Sequence, residues 1–487
     1  MQRPEAVREL NLGDPMSDLY SRLLEEPTAL IGACYDDAFH FTAEQIENIQ
    51  LSGARKRFAE MRKKIPVLDR LATEQGIGEI ASIADVAPLL FAHTVYKSYP
   101  MSYLERSQFN KLTRWLNGLT TQDLSEVDAS GVTLIDEWMD LLDAQTELRV
   151  FHTSGTTGKL SFLPRTDREW RQNIELSASR IRDWRGPGSG PDMMKNRRPL
   201  IAPTYRKGAS AAARGSGYQV EMYAGGEENA LFMYPDSRFS ADVASLSGRL
   251  AAAEAQGELG SLQISPALMA KREELVRVER ERPEQLRKFF AEAIRRFGGK
   301  DVYIGAVWTI LYDTAAVGLS HGARQVFGPA SVLHTGGGKK GKNMPDNWRE
   351  QLVEFLGFNN FYEFYGCSEQ MGFCMRCEEG HYHVPPTTIP FLLDPSNGRP
   401  LPRKDGLTGR FASLDLLPST YWAGLVTGDE ITMHGLETPC KCGRTGAYLL
   451  PDIRRYSEKE GGDDKVICAG APAAHDHALD FLNELSE

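Results

Sequence analysis

The sequence predicts an α/β protein, and three observations carry that reading. Short strand-like runs alternate with longer helical patterns from residue 160 to 300 and again beyond it. Two glycine-containing loops, 153–159 and 335–341, each follow an apolar run, and open α/β sheets collect ligands outside the carboxyl ends of such strands. Hydrophobic residues make up 41% of the chain and charged residues 25%, an ordinary globular balance. A length of 487 residues is enough for two or more subdomains with their own cores.

Bulk properties exclude some functions. The net charge is −10, so the basic footprint of a nucleic-acid binder is missing. Residues 1–5 begin no apolar signal core, and a cytoplasmic protein is expected. The most apolar run, 302–319, is interrupted by Asp313 and reads as buried structure, not a membrane span. Seven cysteines, mostly in the last third, suggest reduced thiols or metal ligands in preference to a disulfide framework.

Taken in order, residues 15–24, 42–64 and 67–71 read as helices of a scaffold, with Asp36, Asp37 and Thr42 as helix starters. Helical patterns follow at 103–116 and 134–148, the second leading into the first loop. Buried strands are expected at 198–202 and 230–234, and helices at 236–255 and 265–297. Gly/Ser-rich stretches at 186–190 and 208–217 read as mobile loops. A strand at 331–334, a loop at 335–341 and a helix at 346–356 follow, and 476–485 reads as a short terminal helix.

The first loop holds Thr153, Ser154, Gly155, Thr156, Thr157, Gly158 and Lys159 between two strand-like runs. Glycines let backbone N–H groups turn onto one anion, hydroxyls add donors, and Lys159 adds a mobile positive charge. This is a phosphate cradle by chemistry, although the Walker A spacing is absent and an ordinary turn is the competing reading. The loop resembles the phosphate loop of the adenylate-forming superfamily: acyl-CoA ligases, luciferase-like enzymes and peptide-synthetase adenylation domains. Tyr365-Gly366-Cys367-Ser368-Glu369 resembles the family's Y-G-x-[ST]-E motif. The resemblance implies that Tyr365 stacks on adenine, Ser368 contacts the α-phosphate and Glu369 holds Mg²⁺. Gly336, Gly337 and Gly338 would let backbone approach the adenine. Thr427-Gly428-Asp429 resembles the family's T-G-D, in which Asp429 would accept both ribose hydroxyls.

Cys377 and His383, followed by Cys440 and Cys442, offer three thiolates and one imidazole, a donor set that fits a closed tetrahedral zinc site. Cys374 and His381 are alternative ligands, and a group of packed reduced thiols is the plainer reading. The layout resembles a metal site of some phenylacetate–CoA ligase relatives, which implies a structural zinc stapling the loop after Glu369 to the loop after Asp429.

The resemblance implies the large N-terminal domain of an adenylate-forming enzyme, with two α/β subdomains and a smaller β-rich part over 385–460. Relatives carry a mobile C-terminal domain of roughly 100 residues. Here only 471–487 follow the hinge-like stretch at 461–470, so that domain is absent or reduced to a short tail. The family's hinge arginine is not found among the glycines there. Its adenylation lysine is missing too, leaving Lys159, Lys339, Lys340 and Lys465 as candidates. The short ending, together with Val95-Tyr96-Lys97-Ser98, resembles the acyl-protein synthetases of bacterial bioluminescence, which carry the acyl group on a cysteine near the C-terminus. Cys468 sits comparably, but burial is the commoner fate of a free cysteine. The division expected is a helical region 1–90, a core 91–425, a ribose, zinc and hinge segment 426–470, and a tail 471–487. The implied reaction is ATP-dependent activation of a carboxylic acid to an acyl-adenylate, then transfer to CoA, a carrier protein, an enzyme cysteine or an amine. Two rivals stand beside it: a complete acyl- or aryl-CoA ligase working without the mobile domain, and a nucleotide-binding regulatory protein without turnover. The acid itself is not legible.

Overall fold

Residues 200–202, 303–304 and 332–333 are apolar and buried without the alternation of a half-exposed strand, as expected of parallel strands covered on both faces. The computed structural model describes residues 15–153, 159–257, 264, 266–337, 343–458 and 472–486. Its strands are β1 (Phe91–Ala92), β2 (Phe151–His152), β3 (Phe162–Leu163), β4 (Leu200–Gly208), β5 (Ala230–Phe239), β6 (Tyr303–Gly305), β7 (Val332–Gly336) and β8 (Phe361–Tyr365). After these come β9 (Cys374–Arg376), β10 (Tyr382–His383), β11 (Thr388–Leu393), β12 (Leu407–Asp415), β13 (Gly424–His434), β14 (Tyr448–Leu449) and β15 (Arg454–Arg455). The α/β expectation is met. Five strands run parallel in the order β5–β4–β6–β7–β8. Beyond β8 the same sheet continues antiparallel through β9, β10, β14, β13, β12 and β11. Of these, β11 to β14 lie in the β-rich part expected over 385–460, while β9 and β10 precede it. The β2–β3 hairpin stands apart from that sheet and carries the first loop.

Alternation within the parallel strands divides the core. Ile201, Ile304 and Leu333 pack with Phe290, Trp308 and Phe355 on one face. Leu200, Ala202, Tyr303 and Val332 pack with Ile174, Ile181 and Tyr223 on the other. The N-terminal helices lie against the antiparallel half. Thr42 closes a capping box with Gln45 at the start of the helix Ala43–Met61. From that helix, Gln50 donates to the Thr388 carbonyl at 2.9 Å and buried Arg57 to the Leu416 carbonyl at 2.8 Å.

The terminal helix, Pro472–Ser486, docks on this same N-terminal region. Leu482 is fully buried, and Ser486 Oγ lies 2.6 Å from the Tyr103 hydroxyl. Gly118 leaves the room: a Cβ there would stand 2.4 Å from Leu482 Cδ1. Gly118→Val is therefore expected to lift the helix and to cost about 1–3 kcal/mol of stability, read from urea unfolding. A variant as stable as the parent would show that the Leu482 side chain turns aside and the helix stays docked.

Several expected boundaries move. The stretch 208–217 is not a loop: it holds the helix Ala211–Gln219, started by Ser210, whose side chain accepts from the Ala213 N–H. Alanines at 211–213 favour that helix more than the glycines oppose it. The strand expected at 230–234 runs on to Phe239 because β4 supplies a partner along its whole length, so the next helix starts at Ala241, not at 236. The pattern at 103–116 is two helices, Ser102–Glu105 and Phe109–Asn117, broken where Ser107 takes φ +53°. No described helix is long and apolar enough to cross a membrane.

Candidate active site

Four elements position the predicted residues: the β2–β3 hairpin, the end of β7, the end of β8 with the turn after it, and the middle of β13. The Thr153 N–H donates to the Ser161 carbonyl at 3.3 Å and closes the base of the first loop. Ser154, Gly155, Thr156, Thr157 and Gly158 lie outside the described residues. Lys159, at the loop's far end, donates to the Tyr99 carbonyl at 2.8 Å, with its ammonium 5.4 Å from that ring's centre. Burial lowers its pKa from the ordinary lysine value, and neighbouring Lys97 adds to the effect.

Gly336 ends β7 inside the sheet, one step further than the predicted loop boundary, paired with Phe364. A Cβ on Gly336 would lie 2.9 Å from the Phe364 carbonyl oxygen, and Gly337 takes φ +79°, so both positions require glycine. Gly338, Lys339 and Lys340 lie outside the described residues, as do Lys465 and Cys468.

Tyr365 ends β8, and its hydroxyl donates to Asp429 Oδ2 at 2.8 Å. Two motifs far apart in the chain therefore meet side chain to side chain. The Tyr365 ring stands edge-on to Phe411 at 5.9 Å, and burial pushes its hydroxyl well above the ordinary tyrosine pKa. Gly366 is exposed, and Cys367, Ser368 and Glu369 are half-buried in the turn that follows. Burial, and then Glu369 beside it, pushes the Cys367 thiol well above its ordinary pKa. Burial also raises the Glu369 carboxyl, while Lys97 and Arg165 pull it down.

Sequence reasoning misses two residues here. Arg455 of β15 pairs opposite Asp429, and its Nε lies 3.5 Å from Asp429 Oδ1. It lies before the stretch at 461–470, where the sequence showed glycines and no arginine. The signal was the Arg454-Arg455 pair just before that stretch. The second is Arg165, directly after β3, which donates to the Ser368 carbonyl at 3.3 Å and the Gln370 carbonyl at 3.4 Å. No local pattern marks it.

The cysteine group forms a second centre on the antiparallel side. Cys377 leads a turn whose N–H donates to the His381 carbonyl at 2.8 Å, and β10 then delivers His383. Cys440 and Cys442 come from a turn closed by the Gly443 N–H on the Cys440 carbonyl at 3.0 Å. One donor atom from each of Cys377, His383, Cys440 and Cys442 lies within 4.8 Å of the others. Tetrahedral zinc with bonds of about 2.3 Å to sulfur sets its sulfurs roughly 3.7 Å apart, so the group fits one ion. The His383 Nε2 lies 3.3 Å from Cys442 Sγ. Of the alternatives, His381 Nδ1 lies 3.2 Å from Cys440 Sγ, whereas Cys374 packs with Val384, Leu392 and Phe411 and is outside the group.

A cavity of about 850 Å³ opens between the helices Pro266–Phe297 and Trp308–Ser320, over Met233, Phe290 and Phe355. None of the predicted nucleotide residues lines it.

No family model matches the chain, and no curated protein matches it. Among solved structures, the chain is similar to an open conformation of 2-hydroxyisobutyryl-CoA ligase in complex with 2-HIB-AMP and CoA. That likeness has 14% identity and a TM-score of 0.46, over 86% of this chain and 76% of that one. It is similar to apo MbtA of Mycobacterium smegmatis at 12% identity and a TM-score of 0.34, over 62% of this chain and 45% of that one. It is also similar to the amide bond synthetase McbA from Marinactinospora thermotolerans at 16% identity and a TM-score of 0.30, over 62% and 47%. The chain spans less than half the length of the last two.

Proposed function

We propose that the chain activates a carboxylic acid by adenylation. The observation that carries this is the 2.8 Å contact between Tyr365 and Asp429, which sets an aromatic face beside a carboxylate at the ligand end of a parallel sheet. Tyr365 stacks on adenine, and Asp429 accepts the ribose hydroxyls with Arg455 at its back. The backbone and hydroxyls of residues 153–158, with Lys159, hold the β- and γ-phosphates. Ser368 donates to the α-phosphate. Glu369 is the ligand for Mg²⁺, which when bound offsets charge on the phosphates.

The acid's carboxylate oxygen then forms a bond to the α-phosphorus as the α–β bridging bond breaks, and pyrophosphate leaves with that electron pair. Positioning and electrostatics supply the rate. The acyl group of the adenylate next passes to a thiol or amine (CoA, a carrier protein, Cys468 or a small nucleophile), whose S or N bonds to the acyl carbon and loses its proton as AMP leaves with the electron pair of the acyl–oxygen bond. In the same reading the chain divides at residues 90, 425 and 470, and a structural zinc on Cys377, His383, Cys440 and Cys442 joins the loop after Glu369 to the loop after Asp429. Carboxylate-dependent exchange of pyrophosphate into ATP, across a panel of acids, tests the proposal.

A further inference from the structure

We propose that Arg165 is the positioning residue that fixes the β2–β3 hairpin against the Ser368–Glu369 turn, so that the two elements act on one triphosphate. This rests on the adenylation reading and adds a residue to it that no motif marks.

Arg165 is 2% exposed. A guanidinium so deeply buried normally has a carboxylate partner, because an unpaired buried charge is costly. Among the described residues Arg165 has none in ion-pair contact. Its Nη2 is spent instead on the turn and its support: the carbonyls of Ser368 and Gln370, and the Tyr421 hydroxyl at 3.0 Å. Its Nε is buried without a partner. The plane lies over two rings, 4.9 Å from the centres of both Phe151 and Trp170, which set the group's direction.

The backbone of Arg165 belongs to the hairpin that carries the phosphate loop. Its carbonyl accepts from the Arg149 N–H at 2.7 Å, and Phe151 beneath the guanidinium is the first residue of β2. One residue thus has its main chain in one phosphate-binding element and its side chain on the backbone of the other. Cation–π contact alone would need neither carbonyl. Donation to two carbonyls that flank Glu369 is what a spacer between two loops requires.

A lysine at 165 keeps the charge but gives up the planar guanidinium that lies over Phe151 and Trp170 and aims Nη2 at the turn. Mg·ATP and adenosine binding by the full chain separate a spacer from a general prop, because adenosine meets Tyr365 and Asp429 only. For Arg165→Lys the expected result is Mg·ATP affinity roughly tenfold weaker, a loss of 1.4 kcal/mol. Adenosine affinity should be unchanged and the melting temperature close to the parent's. Exchange turnover should fall by roughly tenfold to a hundredfold with the KM for the acid unchanged. Tyr421→Phe, which removes one anchor and leaves the cation in place, should lower turnover in the same direction by a smaller factor. Equal loss of adenosine and Mg·ATP affinity in Arg165→Lys would overturn the proposal, as would Mg·ATP affinity equal to the parent's. If Arg165→Lys does not fold, parental Mg·ATP affinity and turnover in Tyr421→Phe overturn it. Absence of exchange in the parent counts against adenylation, and the two binding measurements still decide the role of Arg165.

Discussion

Glu369→Ala is expected to lower carboxylate-dependent ATP–pyrophosphate exchange at least a hundredfold, roughly the loss seen when one preorganised charge-stabilising group leaves a site. Adenosine affinity should hardly change, since Tyr365 and Asp429 remain in contact. Lys97 and Arg165 act through their charge on the half-buried Glu369, so alanine there also removes a negative charge that offsets theirs. The KM for Mg·ATP should rise and fail to recover with excess Mg²⁺. Kinetics of exchange at several Mg²⁺ concentrations, beside adenosine binding, check this. An alanine variant with parental turnover would remove Glu369 from the mechanism.

The second large effect concerns the cysteine group. The purified chain is expected to hold one zinc per molecule, and the double variant Cys440→Ser, Cys442→Ser to hold none. Four protein ligands close the coordination shell, so the ion's contribution is to folding and not to chemistry. Its loss should cost several kcal/mol. The consequences should be concentrated where the two turns meet: β9 and β10 follow the Glu369 turn, and β14 follows Cys442 and pairs with β13, which carries Asp429. Hydrogen exchange should therefore rise first in β9, β10 and β14, and the melting temperature should fall. Metal analysis and exchange mass spectrometry read both. A zinc-free parent with the same stability would return the group to packed thiols.

The sequence was most legible where residue type alone carries the chemistry. Cys377, His383, Cys440 and Cys442 were named from residue type and order, and the structure brings these four donors together. Strand-then-glycine patterns located β7 and the hairpin, because only glycine takes the φ of +79° at Gly337. Tyr365 and Asp429 could each be named from a short motif, but their contact could not, since it depends on β8 and β13 reaching one another across three intervening strands.

What was lost is what long-range contact decides. Residues 208–217 looked like a loop by glycine content, yet Ser210 caps a helix there and β4 delivers it into place. Phe239 looked helical until a parallel partner extended β5 to it. Arg165 and Arg455 are ordinary surface residues by sequence. The first is buried only because the hairpin folds over the Ser368 turn, and the second matters only because β15 pairs with β13. Hydropathy cannot find such residues, because their partners are backbone carbonyls and a distant carboxylate.

The central claim is that this site joins a carboxylic acid to AMP, and exchange of labelled pyrophosphate into ATP tests it most directly. The panel should span aryl and fatty acids, with Mg²⁺ present and each acid omitted in turn. The account predicts exchange with one class of acid and none without acid. Firm Mg·ATP binding with no exchange on any acid would contradict it and leave a protein that binds nucleotide without turning it over.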